Sequence, residues 1–128
     1  MLFRSAGFVG SHLCEELLRR GFFVHAVDDL STGERDNLAA VVNHPSFRLT
    51  VASVDDRAVA ESICAGADVV LHLAGVVGVQ RLATDPLSVM QRNLHGTETM
   101  LAAAAAADRK STRLNSSHSS VSRMPSSA

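Results

Sequence analysis

The stretch Ala6-Gly7-Phe8-Val9-Gly10-Ser11-His12 leads directly into a run with helical periodicity, and this junction decides the fold. From Gly10 to Arg20 the apolar side chains fall on one face, whereas most charged side chains fall on the other. Gly21 is placed to end that helix. Phe22 to Val27 then forms a β-rich run that ends in Asp28-Asp29. A glycine turn, a helix and a strand in this order predict the start of a parallel α/β sheet.

The rest of the chain continues the alternation of apolar strand-like runs with helical runs. The predicted elements are a turn at 31–33, a short helix at 38–42, a strand at 47–51, a helix at 56–64 capped by Asp55 or Asp56, a strand at 68–73 and a helix from Pro86 to Ala107. The run at 68–73 is apolar almost throughout, which is typical of a strand buried on both faces. The pattern predicts about four parallel strands flanked by helices.

The composition and charge of the chain give no indication of a nucleic-acid or membrane partner, and its cysteines bear on the cellular compartment. The chain has 128 residues, a formal net charge of −1 and 20% charged residues, so no excess charge points to nucleic acid or an anionic membrane. Its apolar stretches are far shorter than the ~20 residues that a membrane span requires, and no secretory signal is present. Cys14 and Cys64 lie in apolar helical patterns, which favours reduced thiols in a cytoplasmic protein over a disulfide. The histidines show no metal-ligand spacing, so no metal site is expected.

The spacing of Gly7 and Gly10 matches the last two glycines of a dinucleotide-binding loop. Gly7 would let the backbone approach a pyrophosphate, and Gly10 would let the helix pack closely on the sheet. Asp28 ends the next strand, where a carboxylate accepts hydrogen bonds from a ribose diol and repels a 2′-phosphate. The combination predicts NAD as the cofactor, whereas the two glycines alone would also suit an ordinary helix start.

Four motifs in order resemble a known family: Ala6–Leu13, Val27–Gly33, His72–Gly75 and Asn93–Thr97. They resemble the NAD-dependent epimerase/dehydratase family, which is the extended short-chain dehydrogenase/reductase group that acts on nucleotide sugars. The run at 73–79 followed by Asp85-Pro86 is similar to the UDP-glucose 4-epimerase and UDP-glucuronate decarboxylase branches. The resemblance implies an α/β fold: an incomplete Rossmann-like parallel sheet flanked by helices, with a disordered C-terminal tail.

The resemblance also implies which residues contact the cofactor. The pyrophosphate would lie on Gly7, Phe8, Val9 and Gly10, and the adenosine ribose beside Asp28, Asp29, Ser31, Thr32 and Gly33. Ser53 and Val54 would meet the adenine, with Ser53 replacing the aspartate usual in the family. Further positions would be Leu73, Ala74, Gly75 and Asn93. Asn93 could instead be a surface polar residue, Ser53 a strand-end residue and His72 a core histidine.

Family members carry out their chemistry, as an isomerase or a lyase, with a Tyr-x-x-x-Lys pair, and this chain contains no Tyr. No catalytic residue is therefore predicted here. The parent enzyme is expected to be a cytoplasmic homodimer that oxidises a nucleotide-sugar hydroxyl transiently. A non-catalytic NAD(P)-sensing Rossmann module, or a truncated chain without function, are the alternatives.

Both ends of the chain depart from the family pattern. Arg4 and Ser5 occupy positions where the family has glycines, and Met1-Leu2-Phe3 is short for a first strand. Residues 1–5 and 108–128 resemble reading frames of sequencing-library adapters, although the tail could also be a Ser-rich linker. The expected organisation is a non-native start at 1–5, a partial NAD-binding Rossmann domain at 6–107 and an adapter-like disordered tail at 108–128.

Overall fold

A computed structural model describes residues 2–3, 5–31, 33–75, 79–107, 111–115 and 121–124. The strands are β1 (Leu2–Phe3), β2 (Val24–Asp28), β3 (Phe47–Val51), β4 (Val69–His72), β5 (Ser111–Asn115) and β6 (Val121–Met124). The α-helices are α1 (Phe8–Arg19), α2 (Arg57–Cys64), α3 (Val79–Thr84) and α4 (Pro86–Ala106). The predicted α/β class, with a parallel sheet flanked by helices, is confirmed.

One sheet contains the strands in the order β3-β2-β1-β4-β5-β6. The two-residue strand β1 lies at the centre, where Leu2 is in parallel register with Ala26 on one side and Leu71 on the other. After β3 the chain returns through α2 to β4, on the opposite side of β1. The direction of winding therefore reverses between β1 and β4, and ligands of open α/β sheets bind at the carboxyl ends of strands beside such a reversal.

Two apolar clusters cover the two faces of the sheet. Strand β2 contributes to both clusters, since successive side chains of a strand point to opposite faces. One cluster packs α2 and α4 against the sheet and contains Val27, Ala60, Ile63, Cys64, Ala67, Val70, Met100 and Ala103. The other packs α1 and the segment after β2 against it and contains Ala6, Cys14, Leu18, Val24, Ala26, Leu38 and Val41.

The ends of the helices follow local sequence signals. Gly21 has a φ of 86°, and the N–H groups of Gly21 and Phe22 donate to the carbonyls of Leu18 and Leu17, so α1 ends where Gly21 predicts. Helix α2 is capped by Asp56, which accepts from the N–H of Val59. Helix α4 begins at Pro86 with Asp85 as its cap, as the proline predicts.

The structure differs from the sequence prediction in the segment after β2 and in the segment after β4. The helix predicted at 38–42 is a 3-10 turn at Arg35–Leu38 that continues in further turns. Its two buried side chains, Leu38 and Val41, anchor these turns against α1 without a full helical repeat. Helix α3 was not predicted, because its six residues carry no clear apolar periodicity.

The tail also differs from the prediction of disorder, in two segments. Strand β5 pairs with β4 in parallel, and β6 pairs with β5 in antiparallel fashion. The edge of β4 presents a row of backbone N–H and C=O groups, and an extended segment can pair with them whatever its side chains are. The other predicted tail residues, 108–110, 116–120 and 125–128, lie outside the described residues, as do Arg4 and Thr32.

Candidate functional site

The turn before α1 is held at Ala6 by the segment that follows β2. The N–H of Ala6 donates to Asp28 Oδ2 at 2.8 Å in a buried hydrogen bond. The Ala6 carbonyl accepts from Asn37 Nδ2 at 2.8 Å and from the N–H of Glu34 at 3.3 Å. Gly33 packs directly on this peptide, because a Cβ added to Gly33 would lie 2.7 Å from the Ala6 carbonyl carbon. The carboxylate predicted to hold a ribose therefore lies beside the mouth of the turn.

Helix α1 begins with free amide donors. Gly7 is its N-cap and offers no side chain, and the first hydrogen bond within the helix runs from the N–H of Ser11 to the Gly7 carbonyl. The N–H groups of Phe8, Val9 and Gly10 consequently have no acceptor inside the helix. These amides and the positive end of the helix dipole together favour an anionic group at this point.

Asp28 is a buried carboxylate with a defined set of backbone partners. Its side chain is 4% exposed, and Oδ1 accepts from the N–H of Leu30 at 2.8 Å while Oδ2 accepts from Ala6. Leu30 has a φ of 58°, a conformation that leucine rarely adopts and that the hydrogen bond to Asp28 helps to hold. Because each carboxylate oxygen has a second lone pair, Asp28 can still accept hydrogen bonds from a ligand.

A cavity of about 140 Å³ opens at the carboxyl ends of β2, β3 and β4. It brings together residues that the sequence predicted separately, namely Asp28, Asp29, Ser31, Ser53, Val54, Ala74, Gly75 and Asn93. Four others, Gly7, Phe8, Val9 and Gly10, form the neighbouring turn and helix start instead. Gly33 packs under the turn, and Leu73 packs against the apolar cluster on the α1 face.

Several residues of the site were missed by the sequence prediction. Arg81 and Arg92 line the cavity from α3 and α4, and Asp55 and Gly96 complete its wall. A Cβ added to Gly96 would lie 3.1 Å from Val54 Cγ2, so a glycine allows α4 to approach the loop after β3. Gly96 could have been found from the Asn93–Thr97 motif. Arg81 had no comparable signal, because α3 itself was not predicted.

A histidine at the end of β4 connects the sheet to α4. His72 is buried, and burial lowers its pKa to about 4, so its ring is neutral near pH 7. Its Nε2 lies 3.5 Å from Thr97 Oγ1, and the Thr97 hydroxyl donates to the Asn93 carbonyl at 2.8 Å. Thr97 therefore bridges the buried strand end and the turn of α4 that carries Asn93 to the cavity.

Two structural tests address metal and membrane association. Within the described part of the chain, no group of three or more His, Cys, Asp or Glu side chains could hold a metal ion. Of the helices in the described ranges, none is both long and apolar enough to cross a bilayer.

Comparison with known proteins matches residues 5–126 to the model of the NAD dependent epimerase/dehydratase family. The chain belongs to this family. It is 40% identical over 105 residues to a dTDP-glucose 4,6-dehydratase from Streptomyces griseus, covering 78% of this chain and 32% of that protein. The family match extends past residue 107, where the predicted domain boundary lies.

Solved structures of other proteins agree with the family at the level of the fold. A dTDP-glucose 4,6-dehydratase from Streptomyces venezuelae with NAD bound superposes with a TM-score of 0.81 and 28% identity, over 87% of this chain and 37% of that one. A UDP-glucose 4-epimerase from Thermus thermophilus in complex with NAD gives a TM-score of 0.75 and 27% identity, over 87% and 35%. The chain thus spans about a third of the length of these relatives.

Proposed function

We propose that this chain is the NAD-binding portion of a nucleotide-sugar epimerase, dehydratase or decarboxylase. The observation that carries the proposal is the hydrogen bond between the Ala6 N–H and the Asp28 carboxylate. This hydrogen bond joins a carboxylate at the end of β2 to the turn before α1, whose first amides lack acceptors in the helix. It supports neighbouring subsites for the ribose and the pyrophosphate of a dinucleotide. Membership of an NAD-dependent family supports the same cofactor.

The residues present fit NAD at each part of its adenosine half. The N–H groups of Phe8, Val9 and Gly10, following Gly7, would receive the pyrophosphate. The remaining lone pairs of Asp28 would accept the ribose hydroxyls, with Asp29 and Ser31 beside them in the cavity and Gly33 under the turn. The expected contact of Thr32 with the ribose stays a prediction. The adenine would meet Ser53 and Val54. Ala74, Gly75 and Asn93 would form a further part of the wall of the site, whereas Leu73 packs against the apolar cluster on the α1 face.

The chemistry of the parent enzyme requires a group that this chain lacks. Bound NAD would accept a hydride from a nucleotide-sugar hydroxyl, generally at C4, and later return it. The proton of that hydroxyl needs an acid/base residue, and the family's tyrosine has no counterpart among these 128 residues. The residues of this chain would therefore bind and orient the cofactor, while another part of the parent protein moves the proton.

Calorimetric titration of the chain with NAD and NADP tests the proposal. NAD should bind at least about tenfold more tightly than NADP, because the Asp28 carboxylate repels a 2′-phosphate. Asp28→Asn should weaken NAD binding by about tenfold or more, because it removes the charged acceptor and sets an NH2 group against the N–H of Ala6 or Leu30. Asp68→Asn, an exposed aspartate outside the cavity, is the matched control. Equal affinity for both dinucleotides, or no affinity for NAD, would contradict the assignment.

A second candidate is a non-catalytic NAD(P)-sensing module with the same fold, since the cofactor-binding geometry described above does not depend on a catalytic residue. The genomic sequence of the parent gene beyond codon 107 distinguishes the two, since a Tyr-x-x-x-Lys sequence there supports the enzyme and its absence supports the sensor. A truncated chain without any function is the third candidate, and it predicts no NAD binding by the titration above.

We also propose that the parent protein is a homodimer that associates through α4. Leu87, Met90 and Leu94 are 64%, 66% and 61% exposed, and their spacing places them on one stripe of the helix. Burial of that stripe against its copy would remove apolar surface from water. In sedimentation experiments, Met90→Gln should shift the chain toward monomer, whereas Val42→Gln, at an exposed site in the turns after β2, should not. Identical sedimentation of the two variants would contradict the dimer.

We place the parent protein in the cytoplasm, on the basis of its cysteines. Cys14 and Cys64 are both buried and are not joined in a disulfide. Burial raises the pKa of Cys14 to about 12, so this side chain stays a thiol near neutral pH. An aromatic disulfide reagent should leave both thiols unmodified in the folded chain and modify both after denaturation. A disulfide in chain purified without reductant would argue against this compartment.

We propose residues 6–107 as the NAD-binding unit and adapter-derived sequence for 1–5 and 108–128. The Ser-rich composition of the tail and its similarity to an adapter reading frame support this division. The raw DNA read that flanks codons 5 and 108 tests it directly. A continuous genomic read across both codons would overturn it.

A further inference from the structure

Asn37 contacts the turn before α1 and has no role assigned to it above. Its side-chain amide lies in the 3-10 turn at Arg35–Leu38 and donates to the Ala6 carbonyl at 2.8 Å across 31 positions of sequence. The bond is partly buried. The N–H of Glu34 donates to the same carbonyl at 3.3 Å. Two donors from one short segment thus converge on the peptide immediately before Gly7.

The position of this carbonyl determines the direction of the next amide. A peptide group is planar and trans, so the Ala6 oxygen and the Gly7 N–H point in opposite directions. Holding the oxygen toward Asn37 therefore also fixes the direction of the Gly7 N–H, which lies immediately before the first residue of α1. Asp28 holds the preceding N–H of Ala6, so the peptide groups on both sides of Ala6 are anchored.

Close packing limits how far this segment can move toward Ala6. A Cβ on Gly33 would lie 2.7 Å from the carbonyl carbon and 2.8 Å from the carbonyl oxygen of Ala6, so the two backbones are already in close contact. Leu38, next to Asn37, is fully buried in the apolar cluster on the α1 face. The amide of Asn37 is consequently held by a fixed element, as a positioning group requires.

We propose that Asn37 is a positioning residue that orients the pyrophosphate-binding turn through the Ala6 carbonyl. This rests on the proposed NAD-binding function and assigns a residue to it that does not touch the cofactor. The segment 28–37 would then couple the two halves of adenosine diphosphate recognition, with Asp28 on the ribose side and Asn37 acting on the pyrophosphate side. An amide is required at residue 37, because a carboxylate would place an oxygen against the Ala6 oxygen.

The variant Asn37→Asp tests the proposal, since it keeps the shape of the side chain and removes the donor. Asn43→Asp is the matched control, because Asn43 is exposed, lies in the following turns and undergoes the same change of charge. The affinities of both variants for NAD, ADP and adenosine would be measured by calorimetry and NMR titration, at a temperature below the melting transition of each. The hydrogen exchange rate of the Ala6 amide would be measured without ligand.

For Asn37→Asp, NAD and ADP affinities should fall by about tenfold, while adenosine affinity changes by less than about threefold. The Ala6 amide should also exchange faster than in Asn43→Asp. Equal loss of adenosine and ADP affinity would indicate general destabilisation and overturn the proposal, as would unchanged affinities. If the unsubstituted chain binds neither NAD nor ADP, the proposed function fails for this chain. The proposal is then judged by the exchange rates alone, and equal rates in the two variants overturn it.

Discussion

At residue 33, contact with the backbone of Ala6 requires a glycine, although the two residues are distant in sequence. A methyl group at this position would overlap backbone atoms of Ala6, which cannot rotate away as a side chain could. Gly33→Ala should therefore lower the free energy of unfolding by about 1–3 kcal/mol, as overpacking typically does. Denaturant titration measures the effect, with Ser31→Ala as a control at an exposed position of the same loop. A change of similar size in the control would mean that the loop is generally sensitive.

His72 gives a second prediction at this scale, on pH dependence. Burial lowers its pKa from 6.5 to about 4, so between these values the unfolded chain binds a proton that the folded chain does not. Its contribution to stability is therefore complete above pH 6.5 and is lost as the pH falls, by about 3 kcal/mol at pH 4. His72→Gln should flatten the dependence of unfolding free energy on pH in this window. His95→Gln, on the exposed surface of α4, should leave the slope unchanged.

At the scale of elements, the ends of the helices were the most predictable features. Gly21 adopts a positive φ and has no atom within 4 Å of an added Cβ, so the cost of a side chain there is purely conformational. Gly21→Ala should reduce the free energy of unfolding by about 1 kcal/mol. Gly66 follows α2 without a positive φ, and Gly66→Ala is the matched control. Thermal unfolding compares the two, and equal shifts in Tm would contradict the assignment of Gly21 as a left-handed end of α1.

Other elements were not predictable from local signals. Helix α3 is only six residues long, and the helix predicted at 38–42 is a set of turns whose form depends on where Leu38 and Val41 meet α1. Strands β5 and β6 carry no apolar alternation. Backbone groups at the edge of β4 pair with β5, and those of β5 pair with β6. In each case the conformation depends on contacts with a neighbouring element. The local sequence does not predict which element that neighbour will be.

At the scale of the whole molecule, the tail has little apolar surface to bury, because residues 108–128 are rich in Ser and poor in apolar residues. Deletion of residues 108–128 should therefore change the free energy of unfolding by less than about 1 kcal/mol. It should also expose the edge of β4 and promote concentration-dependent self-association, because unpaired strand edges recruit other chains. Chemical denaturation and light scattering over a concentration series measure the two effects. A large loss of stability without self-association would show that the tail belongs to the folded unit.

The sequence by itself determined the fold class, the ends of α1 and α4, the aspartate cap of α2 within one residue, and the family. These depend on signals within one turn or one strand, such as a glycine at a helix end, a proline at a helix start and an acid at the end of a strand. Local backbone preferences and ordered motifs can be predicted from the sequence, because each depends only on residues that are close together in the chain.

Only the tertiary structure decided that Ala6 is held between Asp28 and Asn37, that Gly33 packs beneath it, and that Arg81 and Arg92 line the cavity. It also placed the two-residue strand β1 between β2 and β4. Each of these contacts joins positions that are distant in sequence, and the distances between them follow from the order of strands in the sheet. No local propensity encodes such a distance, because it arises only when the elements pack together.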